Sequence, residues 1–254
     1  MNRTMAGAAV GVALAASAAA SAAVLAPPPY VAAAAASPAR DGDRAVDARR
    51  RGPELAAFAG VKPGDKVLDL IPGGGYFTRL FSLIVGPGGH VYTVWPKPYA
   101  QEAASDVAAL QALSKQPAWS NVSVAIQPAD ALTAPAPLDV VFTSQNYHDY
   151  PDKFMGRVDP LVFDRQVFAA LKPGGVFLVI DHVAQAGSGM RDTDTLHRID
   201  PAIVRRQAAK AGFVFESESA ILRNFADTHK LVVFDKAIRG RTDQFVFKFR
   251  KPKA

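Results

Sequence analysis

Residues 66–78 read Lys66-Val67-Leu68-Asp69-Leu70-Ile71-Pro72-Gly73-Gly74-Gly75-Tyr76-Phe77-Thr78, an apolar run interrupted by one acid and closed by a glycine cluster. Val67, Leu68 and Leu70 predict a buried strand, because a short apolar run bounded by turn residues fits a strand covered on both faces. Gly73, Gly74 and Gly75 let the backbone turn tightly and approach a ligand with no Cβ in the way. Phe77, Leu80, Phe81, Leu83 and Ile84 then supply the apolar face of a helix. Its first N–H groups have no partner within the helix and face whatever lies above the strand. Together these form a nucleotide-type cradle, with Asp69 placed to accept a hydrogen bond from a ligand amine or hydroxyl. A glycine cluster alone is also compatible with an ordinary β-to-α turn.

The rest of the chain repeats this alternation. Apolar runs at 90–94, 122–126, 138–143 and 176–180 predict further strands, and 45–60 and 100–113 predict helices, the first with Leu55, Phe58 and Ala59 as its buried side and Asp47, Arg49, Arg50 and Arg51 exposed. Asp159-Pro160 and Asp200-Pro201 each supply an N-cap followed by a first-turn proline, and Gly212 closes the second of these helices. Two late strands, 213–216 and 244–249, flank a loop at 221–241; residues 184–199 form a polar, glycine-containing connection able to act as a lid. The pattern predicts an α/β, Rossmann-like doubly wound, mostly parallel seven-stranded sheet with an antiparallel last strand.

The 254 residues are 49% hydrophobic and 20% charged, which allows one well-buried domain at 46–254. The formal charge of +6 is spread among 23 acids, apart from Lys248, Arg250, Lys251 and Lys253 near the end. That run is confined to one short segment of an otherwise mixed-charge chain, so a solvated end is expected and no nucleic-acid partner. The absence of cysteine excludes disulfides, thiolate metal sites and cysteine nucleophiles. Residues 1–36 carry one charge, Arg3, then an alanine-rich run from Met5 to Ala26 and three prolines, the pattern of a secretory signal. Ala20-Ser21-Ala22 and Ala34-Ala35-Ala36 are the candidate cleavage sites. An uncleaved membrane anchor is the rival, and either way the domain is expected outside the cytoplasm, in the periplasm or secreted. Residues 37–45 are expected to be a flexible leader.

On the residues 67–75 the chain resembles the class I S-adenosylmethionine-dependent methyltransferases, whose first signature runs Val-Leu-Asp-Leu-Gly-x-Gly-x-Gly. Asp69, Gly73 and Gly75 match, while Ile71 and Pro72 depart from it. A β-branched residue rarely takes positive φ, so the loop is expected to leave the strand in an extended path. Leu171-Lys172-Pro173-Gly174-Gly175 ahead of an apolar strand resembles a second hallmark, and the segments 195–200, 234–240 and 242–245 resemble an often exported branch of predicted methyltransferases. The resemblance implies S-adenosylmethionine as cofactor, held by Asp69, Gly73, Gly74 and Gly75, with Asp130 and Ala131 at the adenine amine and Gln145 and Asn146 after the fourth strand. The ribose-binding acid of the family is missing, Trp95-Pro96-Lys97-Pro98 standing in its place. Lys97 keeps a phosphorylated dinucleotide, and hence an NAD(P)-dependent oxidoreductase, as a weaker reading.

His148, His182 and His197 fall where the fourth and fifth strands open toward the ligand side, near Asp149, Asp181 and Asp200. Methyl transfer needs an in-line nucleophile about 3 Å from the reacting carbon and a base for its proton. His148, Asp149, His182 and His197 are therefore the catalytic candidates for a small-molecule acceptor. His90 and His229 are read as structural. No metal is assigned, a site of two histidines and an aspartate being the lesser reading. A non-catalytic, exported ligand-binding module on the same fold is the competing function.

Overall fold

The computed structural model describes residues 26–134 and 137–253. The described residues open with α1 (Pro29–Ala36), a 3-10 turn, α2 (Asp41–Arg50) and α3 (Gly52–Ala59). β1 (Lys66–Leu70), α4 (Tyr76–Val85), β2 (His90–Pro96), α5 (Lys97–Glu102), α6 (Ala104–Leu113) and β3 (Val122–Gln127) form the first half. β4 (Leu138–Ser144), α7 (Pro160–Ala170), β5 (Leu171–His182), α8 (Thr193–Leu196), α9 (Pro201–Ala211), β6 (Val214–Ser219) and β7 (Gln244–Arg250) form the second.

The strands make one sheet in the order β3-β2-β1-β4-β5-β7-β6. β1 to β5 run parallel, and β7 is antiparallel to both of its neighbours. The predicted seven-stranded, doubly wound α/β sheet is therefore present. Because side chains alternate along a strand, successive residues feed two separate cores. Leu68, Val141 and Phe177 face the layer of α6, α7 and α9, whereas Val67, Phe142 and Leu178 face that of α1, α3 and α4. Helices on both faces explain why the strands are apolar on both sides. The chain order reverses between β1 and β4, which opens a crevice at their carboxyl ends, the place where such sheets bind ligands.

Several local expectations are corrected. The proposed leader is structured: residues 37–45 form the 3-10 turn and the start of α2. Arg40 is fully buried, donates to the Ala35 carbonyl at 3.1 Å and pairs with Asp47 at 2.8 Å. Val31, placed inside the expected signal, is also fully buried, against α3 and α4. The parts of the signal and anchor expectations that fall on residues 1–25 lie outside the described residues. The helix expected at 45–60 is two helices, because Pro53 has no N–H and its ring collides with a continuing turn. Arg51 breaks them with φ of 52°, and Gly52 is needed at the corner, since a Cβ there would sit 2.2 Å from the Tyr76 hydroxyl. The helix at 100–113 starts earlier, at Lys97, and breaks at Ala103. The lid expected at 184–199 is pinned: Val183 pairs with Ile199, and Arg198 is wholly buried against Asp227. The basic C-terminal run is partly tied down. Lys248 and Arg250 pair with Glu216, and Lys251 donates to the Phe168 and Leu171 carbonyls.

Ile71 is the sharpest departure. Instead of the extended path expected of a β-branched residue, it takes φ of 50°, so the backbone turns as a glycine would turn it. Its N–H donates to the Val94 carbonyl at 2.9 Å and its carbonyl accepts from Asn146 at 3.1 Å. Its side chain is 5% exposed, packed among Leu68, Leu70 and Trp95. The packing holds a conformation that costs about 1–3 kcal/mol. Losing a buried isoleucine costs about 2–5 kcal/mol and the added glycine freedom about 1 more. At the middle of these ranges Ile71→Gly is therefore expected to lower stability by about 2–3 kcal/mol despite relieving the strain. A urea midpoint that rises instead would show that the strain outweighs the packing.

Candidate active site

The carboxyl ends of β1, β4 and β5 border a cavity of about 730 Å³. Ile71, Pro72 and Gly73 form part of its wall, so the two departures from the glycine signature leave it open. Gly73 has φ of 55°, and a Cβ placed on it would meet no protein atom within 4 Å. Gly74 and Gly75 do not line the cavity. Gly75, with φ of 79°, instead lets Leu110 pack where a Cβ would come within 2.5 Å of it.

Asp69 is placed differently from the expectation. It is 2% exposed, accepts from the Thr78 hydroxyl at 2.7 Å and does not line the cavity. It ties the end of β1 to the first turn of α4. Burial raises its pKa to about 7, against the lowering effects of Thr78 and Arg50. The folded chain therefore holds this proton more tightly than the unfolded chain, where the carboxyl titrates at 3.8. Stability contributed here falls as pH rises from about 4 to about 7 and is level above that. Asp69→Asn keeps an acceptor for Thr78 and cannot ionise. It is expected to exceed the parent in stability at pH 8 by roughly 2–4 kcal/mol, with the gap closing at pH 4. Denaturant unfolding at the two pH values checks this, and a gap independent of pH would refute it.

Asp130 and Ala131 are exposed beside α7, where the Asp130 carbonyl accepts from Gln166, and neither lines the cavity. Gln145 and Asn146 do line it. Gln145 has φ of 67° and donates to Gln244 at 3.0 Å. Asn146 bridges the carbonyls of Ile71 and Ser144, joining the ends of β1 and β4.

The four catalytic candidates all border the same cavity. His148 is 2% exposed, its Nδ1 lying 2.8 Å from Asp181 and its Nε2 3.1 Å from Asp149. Asp181 also accepts from the backbone N–H groups of His148 and His182, which fixes the carboxylate. Burial pulls the His148 imidazole down, but Asp181 and Asp149 outweigh it and hold its pKa well above the ordinary value. For Asp149, burial pushes upward, yet His148 and His197 keep it below the usual carboxylate range. His197 Nδ1 lies 3.4 Å from His148 Nε2 and 3.9 Å from Asp149, and the ring is 30% exposed with its edge on Phe234. His197 sits at φ of 53°, a strained conformation that histidine tolerates better than most residues. His182 is neutral near pH 7, since burial lowers its pKa to about 4, and it is hydrogen-bonded to the Thr242 hydroxyl at 2.8 Å. His90 and His229 lie elsewhere, 3.0 Å from Ser123 and Asp243 respectively.

Sequence reasoning missed Arg50, Tyr99, Glu102, Asp106, Phe154 and Phe234, all on the cavity wall. Arg50 was read as exposed but reaches the glycine end, its guanidinium 5.0 Å from the Tyr76 ring centre. Glu102 and Asp106 supply carboxylates from α5 and α6, just beyond the β2 terminus that lacks one.

This sheet order, with a reversed strand inserted beside the last, decides the fold. The chain has the class I methyltransferase fold. A solved S-adenosylmethionine-dependent methyltransferase from Aquifex aeolicus overlays with a TM-score of 0.57 at 17% identity, covering 85% of this chain and 94% of that one. The glycopeptide N-methyltransferase MtfA, complexed with S-adenosylmethionine, gives 0.53 at 16% identity, covering 79% and 87%. In sequence, the chain is similar to a protein-L-isoaspartate O-methyltransferase of Ignicoccus hospitalis, 28% identical over 132 residues. That match spans 50% of this chain and about half, 54%, of the relative. No family model matches the chain. Among the described residues no helix is long and apolar enough to cross a membrane.

Proposed function

We propose that the chain is a methyltransferase that binds S-adenosylmethionine in this cavity and methylates an oxygen of a small molecule set against the histidine cluster. The observation that carries the reading is one cavity, at the sheet's switch point, bordered both by the glycine bend and by His148, Asp149 and His197. The wall residues suit the cofactor. Arg50 offers a cation for its carboxylate, Glu102 and Asp106 offer acceptors for ribose hydroxyls, and Tyr99 and Phe154 offer aromatic surface for the base. The cofactor's chemistry is delivery of a methyl cation equivalent from a sulfonium centre. The chain's own task is to hold the acceptor oxygen in line and remove its proton, and the cluster supplies both. The oxygen acceptor draws on the similarity to an O-methyltransferase.

Calorimetric titration with S-adenosylmethionine tests the reading, with Arg50→Ala and Gly73→Val as controls. Saturable binding weakened in both variants supports it, and no heat at millimolar cofactor refutes it.

We further propose that the protein is exported, with any cleavage falling ahead of Pro29. A cut after Ala36 would remove α1 and expose the pocket filled by Val31. N-terminal sequencing of the mature chain decides the point.

A further inference from the structure

The three inward-facing atoms of the histidine cluster have a geometry that hydrogen bonding does not require. His148 Nε2, Asp149 Oδ1 and His197 Nδ1 form a triangle with sides of 3.1, 3.4 and 3.9 Å. A point equidistant from them lies about 2.0 Å from each, the length of a zinc–nitrogen or zinc–oxygen bond. Two imidazole nitrogens and a carboxylate oxygen are a donor set found in three-ligand catalytic zinc sites, where the fourth position is left for water or substrate.

The surroundings add a second, independent mark. His148 presents its remaining nitrogen, Nδ1, to Asp181 at 2.8 Å, and Asp181 is in turn fixed by two backbone N–H groups. A carboxylate behind a ligating histidine is the usual support of a metal site: it sets the tautomer and aims the free nitrogen at the ion. Charge points the same way. Asp149 and Asp181 are 4% and 0% exposed with only imidazoles beside them, and the buried arginine nearest in sequence, Arg198, is committed to Asp227. Burying two carboxylates calls for compensating positive charge. A divalent ion among neutral histidines would supply two units of it.

We propose that His148, Asp149 and His197 bind one divalent transition ion of the Zn²⁺ class, with Asp181 orienting His148 and an open position facing the cavity. Its role in methyl transfer, drawing the acceptor oxygen to the open position and making its proton easier to remove, rests on the functional reading above. Its presence does not.

The test uses the full chain without a histidine tag, stripped with a chelator and titrated with Zn²⁺, followed by metal analysis after dialysis. Co²⁺ in place of Zn²⁺ reports coordination through its absorption spectrum. One ion per chain is expected in the parent and in His90→Ala and His229→Ala. Affinity should fall at least about 100-fold in Asp149→Ala and His197→Gly, and about 10–100-fold in Asp181→Asn. His197→Gly suits its positive φ, so loss of binding there is not loss of fold. Less than about a tenth of an ion per chain in the parent, or equal binding in His197→Gly, overturns the proposal and leaves His148 as an imidazolium held between two carboxylates. Zn²⁺ binding without S-adenosylmethionine binding would sink the methyltransferase reading alone, and the converse would sink only the metal site.

Discussion

His197→Asn is expected to lower methyl transfer by about 10²–10⁴-fold while leaving S-adenosylmethionine affinity within a few-fold of the parent. The residue combines three properties that make this outcome readable. It reaches the cluster through Nδ1, it is 30% exposed, and asparagine tolerates its φ of 53°. Replacement therefore removes a proton acceptor or ligand without emptying a core position. Cofactor binding followed by calorimetry, beside turnover followed by transfer of labelled methyl, separates the two effects. A variant that retains turnover would remove the cluster from the chemistry and restore the non-catalytic reading of the fold. A variant that lost cofactor binding equally would place His197 in the cofactor's seat rather than the acceptor's.

The adjacent residue should fail in a different manner. Arg198→Ala is expected to cost about 3–5 kcal/mol, a large share of the roughly 5–15 kcal/mol that keeps a domain folded. The guanidinium is wholly buried, pairs with Asp227 at 2.9 Å and donates to the carbonyls of Val183 and Leu231, each at 2.9 Å. Truncation leaves Asp227, 5% exposed, and two carbonyls to be satisfied by the remaining partners. Asp227 still accepts from the backbone N–H groups of His229 and Asp243, so local order persists even as the midpoint falls. Arg198→Lys should recover only part of the loss, because an ammonium cannot span three directions from one planar group. Urea unfolding measures both variants, and a midpoint shift below about 1 kcal/mol for alanine would show that water replaces the arginine.

These neighbours also show what could be read from the chain beforehand. The β1 strand, the glycine bend, the two aspartate-proline helix starts and the late strand at 244–249 were legible because period and punctuation are local properties. The histidine cluster was legible in part, since residues just beyond the ends of β4 and β5 must meet at a switch point. Asp69 and Asp130 were misplaced for a physical reason. A motif gives an acid its position along the strand but not whether a neighbour such as Thr78 has already taken its oxygens. Arg50 was hidden because the turn at Gly52-Pro53 resets the helix register, turning a side chain read as exposed toward the cavity. Ile71 was misjudged because propensity prices the backbone alone, whereas the packing of Leu68, Leu70 and Trp95 around its side chain sets its φ.

The position of β7 carries one more consequence. Among the described strands it is the last to be made, yet it lies inside the sheet, and β6 pairs with no other of them. Until residues 244–250 have been made, β6 lacks its partner in the sheet and β5 keeps an open edge, so this end of the sheet closes last among the strands.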